Sequence, residues 1–213
     1  MTIRRTYLPA AGCDWLLPIY DPYVKLLGGD AVRRTLLEQM DLAPGQRVLD
    51  LGCATGTLVV VVKQLHPDVA VVGLDPDPKA LARAARKALR AGVKVHVNRG
   101  FSDQLPYADA SFDRVSCTGM FSLLPLAEKA TTLREVRRVL RPGGSFHLFD
   151  LVKMPPGSSL WVRLLPSSKG FQVCTQEQLV ALMREAGFAD PKKTGQRAFW
   201  LWPLASYRAV IRD

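Results

Sequence analysis

Three small residues follow a hydrophobic run at residues 48–56, which read VLDLGCATG. Gly52, Ala54 and Gly56 would form the turn after a buried strand. A cofactor can contact the backbone of such a turn only if the side chains there are small. A tight turn without a ligand uses the same residues, so the turn alone is a weak indication of a binding site. The residues that follow it decide between the two interpretations.

An acidic residue closes the next hydrophobic run. Asp75 lies 25 residues after Asp50, where a carboxylate can accept hydrogen bonds from both hydroxyls of a ribose. This predicts a bound adenosine. A nicotinamide dinucleotide would use the same contact, but its G-x-G-x-x-G pattern needs glycine where this chain has Ala54 and Thr57. No tyrosine is followed four residues later by lysine, so a dehydrogenase of that type is disfavoured.

The turn and the acidic residue lie in an alternating series of strand and helix patterns that is regular from about residue 46. Such alternation is typical of a parallel sheet covered by helices. Strands are predicted at residues 47–51, 69–74, 93–97, 112–117 and 145–151, with a closing hairpin at 196–202 and 206–211. Helices are predicted at residues 57–66 and 78–91, at a segment that ends before 141, and at a segment opened by a Thr175–Gln178 capping box.

Two further segments are predicted to border the acceptor. Asp21 can cap a short helix with Pro22 in its first turn, and Asp30 can begin a second helix. These helices precede the sheet, and we expect residues 1–45 to form a helical lid segment over its rim. Within it, residues 1–28 would close over the acceptor and contribute little to cofactor binding; the alternative is a clamp that only stabilises the sheet. Residues 152–174 contain many prolines and glycines, which predicts a long loop. The chain is interpreted as one domain, residues 1–213, with a cofactor-binding core at 46–151 and the acceptor loop, last helix and hairpin at 152–213.

Four motifs occur in the order found in a known family. They are VLDLGCATG, VVGLDPDPKALARA, SDQLPYADASFDRV and REVRRVLRPGG, between residues 48 and 144. With these motifs the sequence resembles the class I S-adenosylmethionine-dependent methyltransferases, in the type 11 group that includes ubiquinone and menaquinone biosynthesis enzymes. The resemblance implies an α/β, Rossmann-like sheet of seven strands with a reversed last hairpin, and S-adenosylmethionine as the cofactor.

The resemblance also implies which residues hold that cofactor. Asp50 and Gly52 would hold its methionine end, and Asp75 would accept the ribose hydroxyls. The complete predicted set is Asp50, Gly52, Ala54, Gly56, Asp75, Pro76, Ser102, Asp103, Cys117 and Thr118. Ala54 replaces a glycine that is usual in the family. Ser122 and Leu123 stand where many relatives carry two histidines, so no role of that pair is transferred.

The expected chemistry demands little from the protein. A sulfonium methyl group is already activated, so the main task is to hold the acceptor in line with it in a dry site. If the acceptor needs a base, Tyr20, His147 and Asp150 are the candidates, because they lie near predicted strand ends. For His147, a packed and hydrogen-bonded role inside its strand is favoured over a catalytic one.

The charge leaves a second class of acceptor open. The chain carries 29 lysines and arginines against 19 acidic residues, a net charge of +10, which suits an anionic membrane or a nucleic acid. Lys79, Arg83, Arg86 and Arg90 would form a stripe opposite Leu81, Ala85 and Leu89. We interpret the stripe as a solvated helix face. The alternatives are a nucleic-acid methyltransferase, which lacks support from any base-gripping Asn-Pro-Pro motif, and a non-catalytic protein that only binds the cofactor.

The cysteines and histidines show no metal-site spacing. Cys13, Cys53, Cys117 and Cys174 form no C-x-x-C pair, so no metal site is expected and a reducing cytoplasm is favoured. A soft acceptor such as arsenite, held by three of the cysteines, is a minor alternative. No hydrophobic run is long enough for a membrane helix. We expect a cytoplasmic monomer or homodimer that methylates a small molecule.

Overall fold

Seven strands form one sheet in the part of the chain that the computed structural model describes, namely residues 7–9, 14–153, 172–199 and 202–212. They are β1 (Arg47–Leu51), β2 (Ala70–Asp75), β3 (His96–Arg99), β4 (Phe112–Thr118), β5 (Leu140–Leu151), β6 (Ala189–Phe199) and β7 (Trp202–Val210). Their spatial order is β3-β2-β1-β4-β5-β7-β6. The first five run parallel, and β7 runs antiparallel to β5 and β6. The predicted Rossmann-like sheet with a reversed last hairpin is confirmed.

Helices cover both faces of the sheet. They are α1 (Leu17–Leu26), α2 (Gly29–Met40), α3 (Thr57–Leu65), α4 (Pro78–Arg90), α5 (Leu126–Val139) and α6 (Gln176–Glu185). Leu49 and Leu51 of β1 join a core with α5 and α6. Val48 joins a separate core with α2 and α3. Because alternate strand residues point to opposite faces, Asp50 faces the same side as Val48.

Two helices begin as the sequence predicts. The Asp77 carboxylate accepts a hydrogen bond from the Lys79 amide at 2.8 Å, ahead of Pro78 in the first turn of α4. Thr175 and Gln178 form a reciprocal capping box at the start of α6. Each capping side chain satisfies backbone N–H groups that have no partner within the helix.

The buried face of α4 differs from the prediction. The side chains that it buries are Ala80, Leu81, Ala84 and Ala88, whereas Ala85 is exposed and Leu89 is 80% exposed. The reason is a close approach to the β1–α3 turn. A Cβ atom added to Gly56 would lie 2.6 Å from the Ala84 Cβ, so only small side chains fit on this side of α4.

The first helix also differs from the prediction. α1 begins at Leu17 with a proline in its first turn, and Pro22 lies inside the helix. Asp21 is therefore a mid-helix residue and not an N-cap. An internal proline removes one helical hydrogen bond and is unfavourable, so tertiary contacts must hold this helix in place. The contacts of Asp21 described below are of that kind.

The predicted bounds of β3, β5, β6 and β7 need correction. β5 begins at Leu140 instead of Ser145, because Leu140 already pairs with Phe112 of β4 ahead of a register shift. β3 begins at His96 instead of Val93, because pairing with β2 sets its register from His96 opposite Val72. In the closing hairpin, β6 runs from Ala189 and β7 from Trp202. β6 is an edge strand with many polar residues and two register shifts, so it lacks the strict alternation that a sequence pattern detects.

A bilayer-crossing helix is not found within the described ranges: each helix there is too short or too polar to span one.

Candidate functional site

The turn between β1 and α3 has the backbone conformation that small residues permit. Gly52, Ala54 and Gly56 all have positive φ angles, of 74°, 48° and 70°. The amides of Gly52 and Cys53 donate to the carbonyl of Leu74 at 2.8 and 3.0 Å, which fixes the turn to the end of β2. A Cβ atom at Gly52 would lie 2.7 Å from the Met120 side chain. The turn is therefore closed in by the loop after β4 on one side and by α4 on the other.

Asp75 fastens this turn to the next strand. One carboxylate oxygen accepts from the Ala54 amide at 2.8 Å, and the other accepts from the Asp77 amide at 2.9 Å. Each carboxylate oxygen has two lone pairs, so both retain capacity for a further donor. Burial raises the pKa of Asp75, while these two amides oppose that shift. The residue can thus stabilise the turn and accept ribose hydroxyls at the same time.

A cavity of about 420 Å³ opens beside the turn at the carboxyl ends of the strands. That volume suits a small ligand. Four predicted cofactor residues line it: Gly52, Pro76, Ser102 and Asp103. Further lining comes from Tyr7, Leu8, Leu51, Leu74, Gly100, Phe101, Met120, Leu123, Leu124, Pro125 and Glu128. The apolar walls beside the Ser102 hydroxyl and the Asp103 carboxylate match an adenine ring and its amino group.

The other predicted cofactor residues lie around the cavity without lining it. Cys117 is fully buried among core side chains, and burial raises the pKa of its thiol. Thr118 is half-buried on the opposite face of β4. Ser102, which does line the cavity, shares a hydrogen bond of 2.8 Å with the Thr132 hydroxyl, and this contact anchors the loop after β3 to α5. The assignments of Cys117 and Thr118 remain predictions.

Asp50 is a buried carboxylate with few partners. It accepts a hydrogen bond from the Ser116 hydroxyl at 3.1 Å. Burial is the main cause that raises its pKa to about 7, and repulsion from Asp75 adds to the shift. A cation such as the ammonium group of a bound amino acid would stabilise the ionised form. The site therefore has a place for positive charge next to the β1–α3 turn.

Tyr20 of α1 lies near the carboxylates of Asp50 and Asp75. Its pKa is raised to about 12, first by burial and then by Asp21, Asp75 and Asp50. A phenol with that pKa stays protonated near neutral pH, so Tyr20 can donate a hydrogen bond to a ligand. It is poorly suited to the general-base role predicted for it.

Sequence reasoning missed a polar network that ties α1 to the β1–α3 turn. Asp21 accepts from the hydroxyls of Thr55 and Thr57 at 2.6 and 3.1 Å. Lys87 of α4 pairs with Asp21 at 2.8 Å and donates to both hydroxyls. No local pattern marks Lys87, which sits outside the stripe that we singled out. The network gives α1 a direct contact with the turn, beyond the lid role that the sequence suggested.

The candidate bases His147 and Asp150 lie on opposite faces of the sheet. His147 is on the side of the sheet that α2 covers and is fully buried, and its Nε2 lies 2.8 Å from the Ser145 hydroxyl. Burial and then the charges of Arg208 and Arg114 lower its pKa to about 3. A neutral, enclosed imidazole of this kind supports the structural role over the catalytic one.

Asp150 and Lys129 hold the loop after β4 from two sides. The Asp150 carboxylate accepts from the Ser122 amide at 3.0 Å, and the Lys129 ammonium donates to the Leu124 carbonyl. Lys129 is fully buried and lies 5.3 Å from the centre of the Phe121 ring. Since Met120, Leu123 and Leu124 line the cavity, this buried pair of charges positions one of its walls.

A metal site is not seen where the structure describes the chain. No group of three histidine, cysteine, aspartate or glutamate side chains converges within those ranges. Cys53, Cys117 and Cys174 are free thiols. Cys13 lies outside the described residues, as does most of the predicted acceptor loop at residues 152–174.

Comparison with known proteins adds independent information. A family model described as "Methyltransferase domain" matches residues 48–144. An uncharacterised methyltransferase of Synechocystis sp. is 33% identical over 171 residues, which are 78% of this chain and 77% of that protein. Demethylmenaquinone methyltransferase of Thermus thermophilus is 34% identical over 146 residues, 67% of this chain and 66% of that protein.

One similar solved structure contains the cofactor. It is phosphoethanolamine N-methyltransferase 2 of Haemonchus contortus in complex with S-adenosyl-L-methionine. It superposes with a TM-score of 0.73 at 15% identity, and the match covers 86% of this chain and 53% of that one. At this identity the similarity concerns the fold.

Proposed function

The chain belongs to the class I S-adenosylmethionine-dependent methyltransferases of the ubiquinone and menaquinone-like group, and on that premise we propose that it methylates a small-molecule acceptor. The named acceptors of its relatives, demethylmenaquinone and phosphoethanolamine, are both small but chemically unlike. These two names support a small-molecule acceptor for this chain but do not identify it. The free thiols accord with a reducing, cytoplasmic site of action.

One observation carries the proposal: the cavity of about 420 Å³ lies beside a glycine turn that Asp75 ties to the end of β2. Ligands of open α/β sheets bind at this edge. The cavity residues fit an adenosine, and the buried Asp50 fits an ammonium group. We assign the ribose to Asp75, the adenine to Ser102 and Asp103, and the methionine end to Gly52 and Asp50.

The bound cofactor supplies a methyl group that is already activated by its sulfonium. The chain's own contribution is then to orient the acceptor, exclude water and avoid a competing nucleophile. Gly52 has no side chain and so lets a ligand approach its backbone closely, while the Met120 side chain packs against this position and limits the space there. Cys53 and Cys117, whose thiols both interact electrostatically with Asp50, have pKa values raised by burial. They remain protonated and are weak nucleophiles.

Proton removal from the acceptor is not required of the candidate bases. Tyr20 stays protonated, His147 is enclosed, and Asp150 is engaged with backbone amides. We therefore propose that the acceptor reacts through a lone pair that is available near neutral pH, or that it binds already ionised. Tyr20 would orient it by donating a hydrogen bond.

The experiment that tests the cofactor assignment is calorimetric titration with S-adenosylhomocysteine. Asp75→Ala should weaken binding by about 2 kcal/mol, or about thirtyfold, because two hydrogen bonds to a charged acceptor are lost. Asp103→Ala, at the adenine end, should have a smaller effect. Affinity unchanged in Asp75→Ala would remove Asp75 from the ribose site.

The acceptor is tested by transfer of a labelled methyl group to pooled metabolites and, separately, to total RNA. We expect label in the low-molecular-weight fraction. A site-specifically methylated RNA would overturn the proposal, and cofactor binding without any turnover would favour a binding protein.

A further inference from the structure

The β1–α3 turn offers a place for one of the two charged groups of an amino acid. The buried carboxylate of Asp50 suits the ammonium group at the methionine end of the cofactor. That end also carries a carboxylate, which is costly to enclose unless a cation or several N–H donors meet it. A cation close to Asp50 would therefore complete the recognition of the amino acid.

The first turns of α2 lie at the edge of the sheet where the cavity opens. At the other end of this helix, the Met40 carbonyl accepts a hydrogen bond from the Arg114 guanidinium at 2.8 Å, and Arg114 is near the start of β4. Val32 instead packs with Phe149, which is near the end of β5. Because β4 and β5 are parallel, α2 runs from the carboxyl ends of the strands toward their amino ends.

Arg33 faces the sheet from this part of α2. It lies three residues before Leu36, which packs in one core with Val48 of β1, and helix positions three apart share a side. Asp50 is two residues after Val48 and points to the same face of the sheet. The Arg33 side chain is only 15% exposed, which is unusual for an arginine. Arg33 thus lies across from Asp50, on the helix that covers this face.

Electrostatic effects agree with this placement. Burial raises the pKa of Asp50, while the Ser116 hydroxyl and the Arg33 guanidinium oppose that shift. Burial and neighbouring carboxylates raise the pKa of Tyr20, and Arg33 opposes that shift as well. The guanidinium is therefore within electrostatic reach of both groups that border the methionine end of the site.

The guanidinium of Arg33 keeps N–H donors for a ligand. Its Nη2 donates to the Asp30 carboxylate at 2.6 Å, and Asp30 is 57% exposed, so this ion pair contributes little. A Cβ atom added to Gly29 would lie 3.2 Å from the Arg33 Nη1, so the glycine leaves room for the guanidinium. A guanidinium carries five N–H donors, of which the Asp30 contact uses one. The others can form the paired hydrogen bonds with which arginine binds a carboxylate.

We propose that Arg33 binds the carboxylate of the methionine end of S-adenosylmethionine, across from Asp50, which binds the ammonium group. The inference rests on the cofactor assignment in the proposed function and extends it. It makes α2 a part of the cofactor site, and it makes the amino-acid group a requirement for tight binding. A nucleoside without that group leaves Asp50 and Arg33 without their ligand partners. An arginine that only paired with Asp30 would be indifferent to the carboxylate of the ligand.

The test is calorimetric titration of the full chain with three ligands that differ at this end. S-adenosylhomocysteine carries both charged groups, its decarboxylated analogue carries only the ammonium group, and methylthioadenosine carries neither. Arg33→Gln removes the cation, and Arg33→Lys keeps the charge without the planar fork. One matched control is Arg34→Gln, which removes an exposed cation from the adjacent position. The other is Asp30→Asn, which removes the ion pair and leaves Arg33 in place.

We expect the wild-type chain and both controls to bind S-adenosylhomocysteine at least about tenfold more tightly than its decarboxylated analogue, because a charge-assisted contact is lost with the carboxylate. Arg33→Gln should lose this difference. It should bind S-adenosylhomocysteine about tenfold more weakly than wild type does, but bind the analogue and methylthioadenosine no more weakly. Arg33→Lys should retain part of the difference, since it keeps the charge.

The proposal is wrong if the wild-type chain does not distinguish S-adenosylhomocysteine from the analogue, or if Arg33→Gln weakens the binding of both alike. Methylthioadenosine separates these results from a failure of the cofactor assignment. If wild type binds it, the adenosine half of the site is present and only the role of Arg33 falls. A wild-type chain that binds none of the three ligands would overturn the cofactor assignment and the role of Arg33 together. The wild-type comparison and Arg33→Lys decide the question should Arg33→Gln fail to fold.

Discussion

At the scale of single residues, the β1–α3 turn contains one position whose conformation conflicts with its side chain. Ala54 has a φ of 48°, in the left-handed region that costs an L-residue about 1–2 kcal/mol. Its amide is held there by Asp75. The resemblance to the family implies that Ala54 replaces a usual glycine, but only the backbone shows that the replacement is strained. A side chain at this position is tolerated because the surrounding contacts determine the turn.

Ala54→Gly should therefore stabilise the protein by about 1 kcal/mol, since glycine adopts this conformation without strain and loses part of the gain to its greater freedom when unfolded. Denaturant unfolding measures the change. Ala110, with a φ of 50° in a loop outside the cavity, provides a matched control. Ala110→Gly should stabilise similarly, while only Ala54→Gly should alter affinity for S-adenosylhomocysteine. A destabilised Ala54→Gly protein would contradict the strain argument.

At the scale of elements, the loop after β4 depends on two buried charges that lie on different elements. Asp150 of β5 accepts from the loop's amide, and Lys129 of α5 donates to its carbonyl. Burial lowers the pKa of Lys129, and nearby Cys174 and Asp150 oppose the shift. A buried charge contributes little to stability when its removal leaves apolar packing. Its value here is to position a wall of the cavity.

Lys129→Met should thus weaken cofactor binding severalfold without destabilising the fold, because the methionine fills the space but cannot hold Leu124. Affinity for S-adenosylhomocysteine and the unfolding midpoint are both measured. Lys63→Met is the control, since Lys63 also donates to backbone carbonyls, those of Pro67 and Val69, away from the cavity. Loss of stability without loss of affinity in Lys129→Met would show that the lysine only supports packing.

Elements with strong local signals were predictable, and contacts between elements were not. The strands β1, β2 and β4 and the caps of α4 and α6 follow from hydrophobic runs and from capping residues. The closing hairpin was predicted, but its two strands begin earlier than their hydrophobic runs indicated. α1 does not, because Pro22 indicates a helix start that tertiary contacts override. Asp75 was predicted from its spacing after Asp50, and its role toward a ribose stays a prediction. Asp21 and Lys87 were not, since their partners lie at least 30 positions away along the chain.

At the scale of the whole molecule, buried ionisable groups couple stability to pH with opposite signs. Asp50 has a folded-state pKa of about 7, above the ordinary aspartate value near 4. The folded state keeps a proton that the unfolded chain has released, so this group lowers stability as pH rises from about 4 to about 7. The pKa of His147 is lowered to about 3 in the folded state. Below about pH 6.5 the unfolded chain binds a proton that the folded state does not, so this group lowers stability as pH falls from about 6.5 to about 3.

Comparison of wild type with Asp50→Asn isolates the Asp50 effect, because His147 is common to both. The variant should gain stability relative to wild type as pH rises from 5 to 8, by a few kcal/mol at most. Urea unfolding at several pH values measures this. Cofactor binding near pH 6.5 should also release a proton in wild type but not in Asp50→Asn, which calorimetry in buffers of different ionisation enthalpy detects. A pH-independent difference between the two proteins would mean that Asp50 is ionised throughout.

The edge strand β6 has a consequence for how the protein behaves when crowded. Its pairing with β7 shifts register between Ala189 and Lys192 and again between Lys193 and Gly195. Lys192 and Lys193 are exposed along the same strand. An interrupted, positively charged edge is a poor template for the strand of another molecule. The register shifts interrupt the row of backbone groups that a second strand would pair with, and the lysines of two copies repel each other. The sheet is therefore protected on this side against fibrous aggregation at high concentration.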